Sequence, residues 1–196
     1  MNPPSSSQDA PVLFYGRSVF SNFYLTEPYV FALPEACRRD GFPTHFRVRC
    51  AETAIMLCKA CLMGDPDAVR RLADPAALSQ PSAAKAIGRQ VANFDERLWD
   101  AAVADVARAA LLAKFRAHPD LGRELLATGR RRIAEASPQD AIWGIGTDAQ
   151  DPDAQDPSKW RGRNVLGAAL EQVREILREE RNAEGSEEAD AGRSAE

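Results

Sequence analysis

The segment CAETAIMLCKACLMGD, residues 50–65, most constrains what this chain can fold into. From Ala51 to Met63 every residue is apolar or small except Glu52, Thr53 and Lys59. A helix that is apolar nearly all round has no face to give to water, so the rest of the chain must wrap it. Inside such a helix an unpaired charge is expensive. The carboxylate of Glu52 and the amine of Lys59 therefore need a reason. About 700° of turn separates them, roughly 20° short of two full turns, which puts both side chains on one face. About 10 Å along the axis is too far for an ordinary local ion pair. The two groups can instead reach toward one small molecule lying across that face. A plainer account makes Glu52 a first-turn charge at a helix N-terminus and lets Lys59 extend its amine to water.

What surrounds this helix is also mostly helical. The chain has 196 residues, a length suited to one domain with a real core. Short aromatic or β-branched runs bounded by turn residues place strands early, at VLFY (12–15), YVFAL (29–33) and HFRVR (45–49). Beyond Cys50, Pro66 and Pro81 each sit where a first helical turn accepts proline. Asp95 can cap a long amphipathic stretch in which Leu98, Val103, Val106 and Phe115 recur near helical spacing. Asn164 is a suitable N-cap for a last helix whose apolar face is Val165, Leu166, Ala169, Leu170, Val173 and Leu177. The expected fold is mainly α: a single compact helical domain over residues 11–181 with a small N-terminal β element. A Pro/Ser-rich segment, 1–10, and an acidic tail, 182–196, have almost nothing to bury and are expected to be disordered.

Composition excludes several classes. A net charge of −4 makes the whole molecule no electrostatic magnet for nucleic acid, so any such contact must be a local basic patch. No apolar run approaches the roughly 18 to 20 residues of a membrane span, and MNPPSSSQDAP lacks the basic start and apolar core of a signal peptide. The four cysteines follow no disulfide framework. Cys58-x-x-Cys61 lies within the apolar helix without a second pair, so buried free thiols are expected, in an intracellular location, cytoplasmic with the nucleus as the alternative. The only histidines, His45 and His118, form no metal-ligand spacing and no Ser/His/Asp set. No metal or cofactor is expected, and any catalysis must use carboxylates and lysine.

Three further stretches can carry chemistry. EASPQDAIWGIG, residues 135–146, places Glu135 and Asp140 before Trp143 and a Gly-x-Gly that begins at Gly144. Trp143 can stack on a base or ribose, and the glycines let backbone approach a ligand. A polar loop around a core tryptophan is the alternative. KWRGRNVLG, residues 159–167, sets Arg161 and Arg163 before the helix start at Asn164, which suits a phosphate or is simply a solvated loop. YGRSVFSNFY, residues 15–24, gathers aromatics around Arg17 and Asn22, as a clamp or as core.

Together, and in this order, FSNFY, Glu52 with Lys59, AKAIGRQVANFDERLW, KFRAHPDLGRELLATG, EASPQDAIWGIG and WRGRNVLGAALEQVREIL resemble the NADAR, or YbiA-like, superfamily of N-glycosidases. The resemblance runs from about Tyr15 to Leu177. It implies hydrolysis of a bond between ribose C1 and nitrogen. Two substrates are known in the family, the ribosylated pyrimidine intermediate of riboflavin synthesis and ADP-ribose attached to guanine, free or within DNA or RNA. ADP-ribosyl-guanine is the preferred reading, because the basic loop suits a pyrophosphate. The riboflavin intermediate and a non-catalytic ADP-ribose-binding module are the alternatives. The expected catalytic groups are Glu52 as acid/base or cation stabiliser, Lys59 as nucleophile through a Schiff base with ring-opened ribose, and Asp140. Lys85 is a second candidate lysine ranked below Lys59. Asn22, Phe23, Trp143 and Gly144 are expected around the sugar and base, with Arg161, Arg163 and Asn164 on the phosphates.

Overall fold

The computed structural model describes residues 10–75 and 79–193. Around the central helix α1 (Ala51–Met63) lie α2 (Pro66–Leu72), α3 (Pro81–Arg89), α4 (Glu96–Ala117), α5 (Pro119–Ala127) and α6 (Val165–Arg193). All of α1 except Lys59 is buried, as its composition requires. Its first turn has no side-chain cap. The Glu52 N–H instead donates to the Asn22 carbonyl at 2.9 Å, satisfying one of the orphan donors of a helix start. Gly64, in the left-handed region with φ 70°, ends the helix by returning its N–H to Ala60 and Cys61.

Sequence signals set the other boundaries. Pro66 and Pro81 open α2 and α3 at the first turn. The Asp95 carboxylate accepts the Leu98 N–H at 3.0 Å and starts α4. Val103, Val106 and Phe115 are buried as the spacing predicts, whereas Leu98 is 38% exposed. In α6 the expected face holds, with Leu177 half-buried against the core.

The strands form two small sheets. β2 (Tyr29–Ala32) and β3 (His45–Val48) pair antiparallel, Tyr29 opposite Val48. β1 (Val12–Phe14) pairs in parallel with β4 (Ile133–Glu135), Val12 opposite Ile133. The β element is therefore not wholly N-terminal, because its parallel partner comes from far along the chain. The expectation of a disordered tail is corrected over 182–193, where α6 continues to Arg193. Alanine and glutamate are strong helix formers, and extending an existing helix needs no new nucleus. Residues 194–196, and 1–9 of the expected N-terminal segment, lie outside the described residues. The four cysteines are buried and free. Among the described residues no helix is long and apolar enough to cross a membrane.

Candidate active site

A cavity of roughly 700 Å³ opens where the segment between β1 and β2 meets α3 and the chain leaving β4. Its volume lies within the usual range for a small-molecule site. The first wall is irregular chain folded by its own serines. The Ser18 and Ser21 hydroxyls accept the N–H groups of Phe20 and Phe23, and backbone turns tie Ser21 to Ser18 and Tyr24 to Ser21. This coiling presents Tyr15, Phe23 and Tyr24 to the cavity, with Arg17 beside them.

The opposite wall is acidic. Glu135, at the end of β4, and Ser137 and Asp140 beyond it line the cavity. Asp140 holds its own loop, Oδ1 accepting the Trp143 N–H at 2.8 Å and the Ile142 N–H at 3.1 Å. Behind it backbone packs on backbone. A Cβ at Gly144 would lie 2.7 Å from the Glu135 carbonyl oxygen, and one at Gly162 would lie 2.2 Å from that of Gly144. Lys85, on α3, completes the enclosure with its amine 5.5 Å from the centre of the Phe23 ring.

The electrostatics join Glu52 to this cavity. Its carboxylate is not among the groups on the wall, yet it interacts with Lys85, Glu135, Asp140 and Arg89. Burial pushes its pKa from the ordinary carboxylate range up to about 7, with Lys85 pulling the other way. Glu135 is likewise raised to about 7, by burial first and by Asp140 second, against the pull of Lys85. Two carboxyl groups poised near neutrality beside an amine make a proton-transfer centre. Among the described residues no group of three or more His, Cys, Asp or Glu could hold a metal ion.

The family model for the NADAR domain matches residues 13–178. The chain belongs to the NADAR domain family. Similar proteins include "Protein irg-1" of Caenorhabditis elegans, 36% identical over 85% of this chain and 79% of its own length. "N-glycosidase R617" of Acanthamoeba polyphaga mimivirus is 39% identical over 64% of this chain and 72% of its own. "N-glycosidase YbiA" of Escherichia coli (strain K12) is 33% identical over 51% and 56%. The solved NMR structure of E. coli YbiA shares the fold, with a TM-score of 0.60, 24% identity, and coverage of 89% of this chain and 91% of that one.

This NADAR domain brings together only part of the set expected from sequence. Phe23 and Asp140 line the cavity and Glu52 is coupled to it. Asn22 lies between lining residues, buried, its carbonyl on Glu52 and its side-chain Oδ1 without a hydrogen-bond partner. Lys59, expected as the nucleophile, stands outside the cavity lining. Its amine donates to the Gly88 carbonyl at 2.8 Å and rests 4.3 Å from the Phe94 ring centre, on the packing side of α3 rather than in the cavity. Trp143 packs against the main core, and Gly144 is a backbone spacer; neither lines the cavity. Arg161 is exposed outside the lining, and Arg163 pairs with Asp100 at 3.1 Å. Asn164, expected on the phosphates, has its side chain engaged elsewhere. With φ 50° its buried side chain donates to the Ile133 carbonyl and accepts from the Glu135 N–H, tying α6 to β4. Sequence reasoning underweighted Lys85, Glu135 and Arg17. Each stood in a quoted motif, and no spacing rule links them, because they come from separate elements.

Proposed function

We propose that this NADAR domain is an N-glycosidase that removes ADP-ribose from guanine, with Lys85 as its nucleophile. The observation that carries the reading is the Lys85 amine facing a cavity of nucleotide-accommodating size beside two carboxyl groups that titrate near neutrality. Relatives named N-glycosidases support the reaction class. The aromatic wall supports a substrate with more than one flat group, since Tyr15, Phe23 and Tyr24 offer more faces than a single base needs. Arg17 takes over the anion-binding role that sequence reasoning gave to Arg161 and Arg163.

Cleavage of a ribose–nitrogen bond places positive charge on the sugar as the base departs. Lys85 gives a proton to Glu135 or Glu52 and attacks C1 of ribose, and that carboxyl group passes the proton to the departing base. The nitrogen lone pair then expels the ring oxygen, which takes up the proton lost from nitrogen, leaving an imine on the open sugar. Water adds to that carbon, the amine departs, and the aldehyde recloses to ribose. The net change is one water consumed, with base and sugar phosphate released. Asp140 and Glu52 stabilise the cationic sugar throughout.

The test is incubation with a guanine-ADP-ribosylated oligonucleotide and, separately, with the ribosylated pyrimidine intermediate of riboflavin synthesis. Release of ADP-ribose from the first, and a borohydride-trapped adduct mapping to Lys85, are expected. Turnover of the second alone would reassign the substrate. Binding of ADP-ribose with turnover of neither would make the protein a binding module.

A further inference from the structure

Lys114 is a charged side chain in the core that this reaction does not use. It lies in the last turn of α4 and is completely buried. Its amine donates to the Val19 carbonyl at 2.6 Å and to the Ser21 carbonyl at 3.0 Å. The rings of Tyr24 and Phe115 lie 5.3 and 5.2 Å away. The titratable group that interacts with it is the Cys50 thiol, and burial lowers its pKa to about 7. A neutral amine still has two N–H donors, so both hydrogen bonds survive loss of the third proton.

Burying an ammonium among apolar groups is costly, and an aliphatic side chain would fill the same space without that cost. Satisfying two buried carbonyls accounts for the bonds, but their location carries more. Val19 and Ser21 belong to the irregular wall of the cavity, which supplies Ser21, Phe23 and Tyr24 to its surface. Asn22, next in line, accepts the Glu52 N–H and so joins the same segment to the first turn of α1. A loop with no strand or helix of its own thus depends on a rigid helix at two carbonyls.

We infer that Lys114 is a positioning residue, whose grip on the Val19 and Ser21 carbonyls holds Phe23 over Lys85 and, through Asn22, keeps Glu52 beside the cavity. The inference rests on the reading of that cavity as the active site. Lys114→Met preserves length and apolar contact while removing both donors. Its kcat on the ADP-ribosylated oligonucleotide is expected to fall by at least about tenfold, as a small misplacement of reacting groups does, with KM changing less than about threefold. Amide exchange should rise at Tyr24 and Glu52, while α4 and α6 amides exchange as in the parent. Should Lys114→Met not fold, Lys114→Gln, with a shorter side chain bearing donors, carries the same comparison in milder form. Parent-like kcat in a folded variant would overturn the inference. So would exchange rising evenly through the core with activity tracking the folded fraction. An inactive parent with exchange rising locally at Tyr24 and Glu52 in the variant would instead sink the active-site reading and leave the anchor standing.

Discussion

Two lysines on two packed helices have opposite surroundings. On one side of the α1–α3 contact, the amine of Lys59 donates to the Gly88 carbonyl and lies near the rings of Phe94 and Trp99. On the other side Lys85 meets the Phe23 ring and a cavity that it lines together with Glu135 and Asp140. Burial lowers the pKa of Lys59, with Glu52 opposing. Its hydrogen bond to Gly88 lies at the end of α3. A lysine within an apolar stretch signals burial; reactivity needs open volume and a proton acceptor as well.

The largest expected effect separates the two directly. Lys85→Met should lower turnover by on the order of a thousandfold or more and abolish the borohydride adduct. Lys59→Met should keep turnover within about threefold while lowering Tm by about 2–4 °C, the loss of roughly one hydrogen bond in a chain of this size. A dead Lys59→Met with an intact melting curve would reverse the assignment.

Next in size is Glu52→Gln, expected to lose about a hundredfold or more in kcat. It also carries a stability signature. A carboxyl group whose pKa is raised on folding, from 4.5 to about 7, favours the folded state fully below the unfolded value, and that contribution is lost as pH rises through the folded value. At pH 8 the parent holds a buried carboxylate that the amide lacks, so Glu52→Gln should melt several degrees higher there and nearly like the parent at pH 5. Equal shifts at both pH values would show that Glu52 is not desolvated. Glu135 shares this behaviour and is coupled to Glu52, so kcat/KM should fall above about pH 7 with an apparent pKa belonging to the pair. Glu135→Gln should move that bend; an unmoved bend would remove Glu135 from proton transfer.

The smallest contrast concerns anion binding. Arg17→Ala should raise KM for the ADP-ribosylated oligonucleotide about tenfold with kcat little changed, whereas Arg161→Ala should be within twofold or so of the parent in both. The reverse order would return the phosphates to the loop before α6.

Much of the helical frame was legible in the chain. The apolar run of α1, the prolines opening α2 and α3, and the Asp95 cap are local signals, and local signals survive folding. The missed strand β4 is three residues long and gains its partner only when β1 arrives from across the molecule. The site was half legible for the same reason. Glu52, Phe23 and Asp140 stood in recognisable motifs, but the choice between Lys59 and Lys85 depends on which side of α3 each amine faces. Asn164 sat at a helix start and read as a cap; its positive φ turns the side chain to β4 instead.

The backbone contact behind Asp140 has a consequence for how such a domain can change. Carbonyl oxygens of Glu135 and Gly144 occupy the places where side chains at Gly144 and Gly162 would begin, and peptide groups cannot swing aside as side chains do. The backbone behind the acidic wall is therefore cast as one piece: a side chain added at Gly144 or Gly162 spoils the fold before it alters the chemistry. The facing wall carries exposed side chains, with Tyr15 64% and Phe23 37% accessible. Substitutions on that side can reshape the cavity by changing exposed side chains. On the reading proposed above, a lineage or an engineer altering what this enzyme accepts would leave its record between residues 15 and 25.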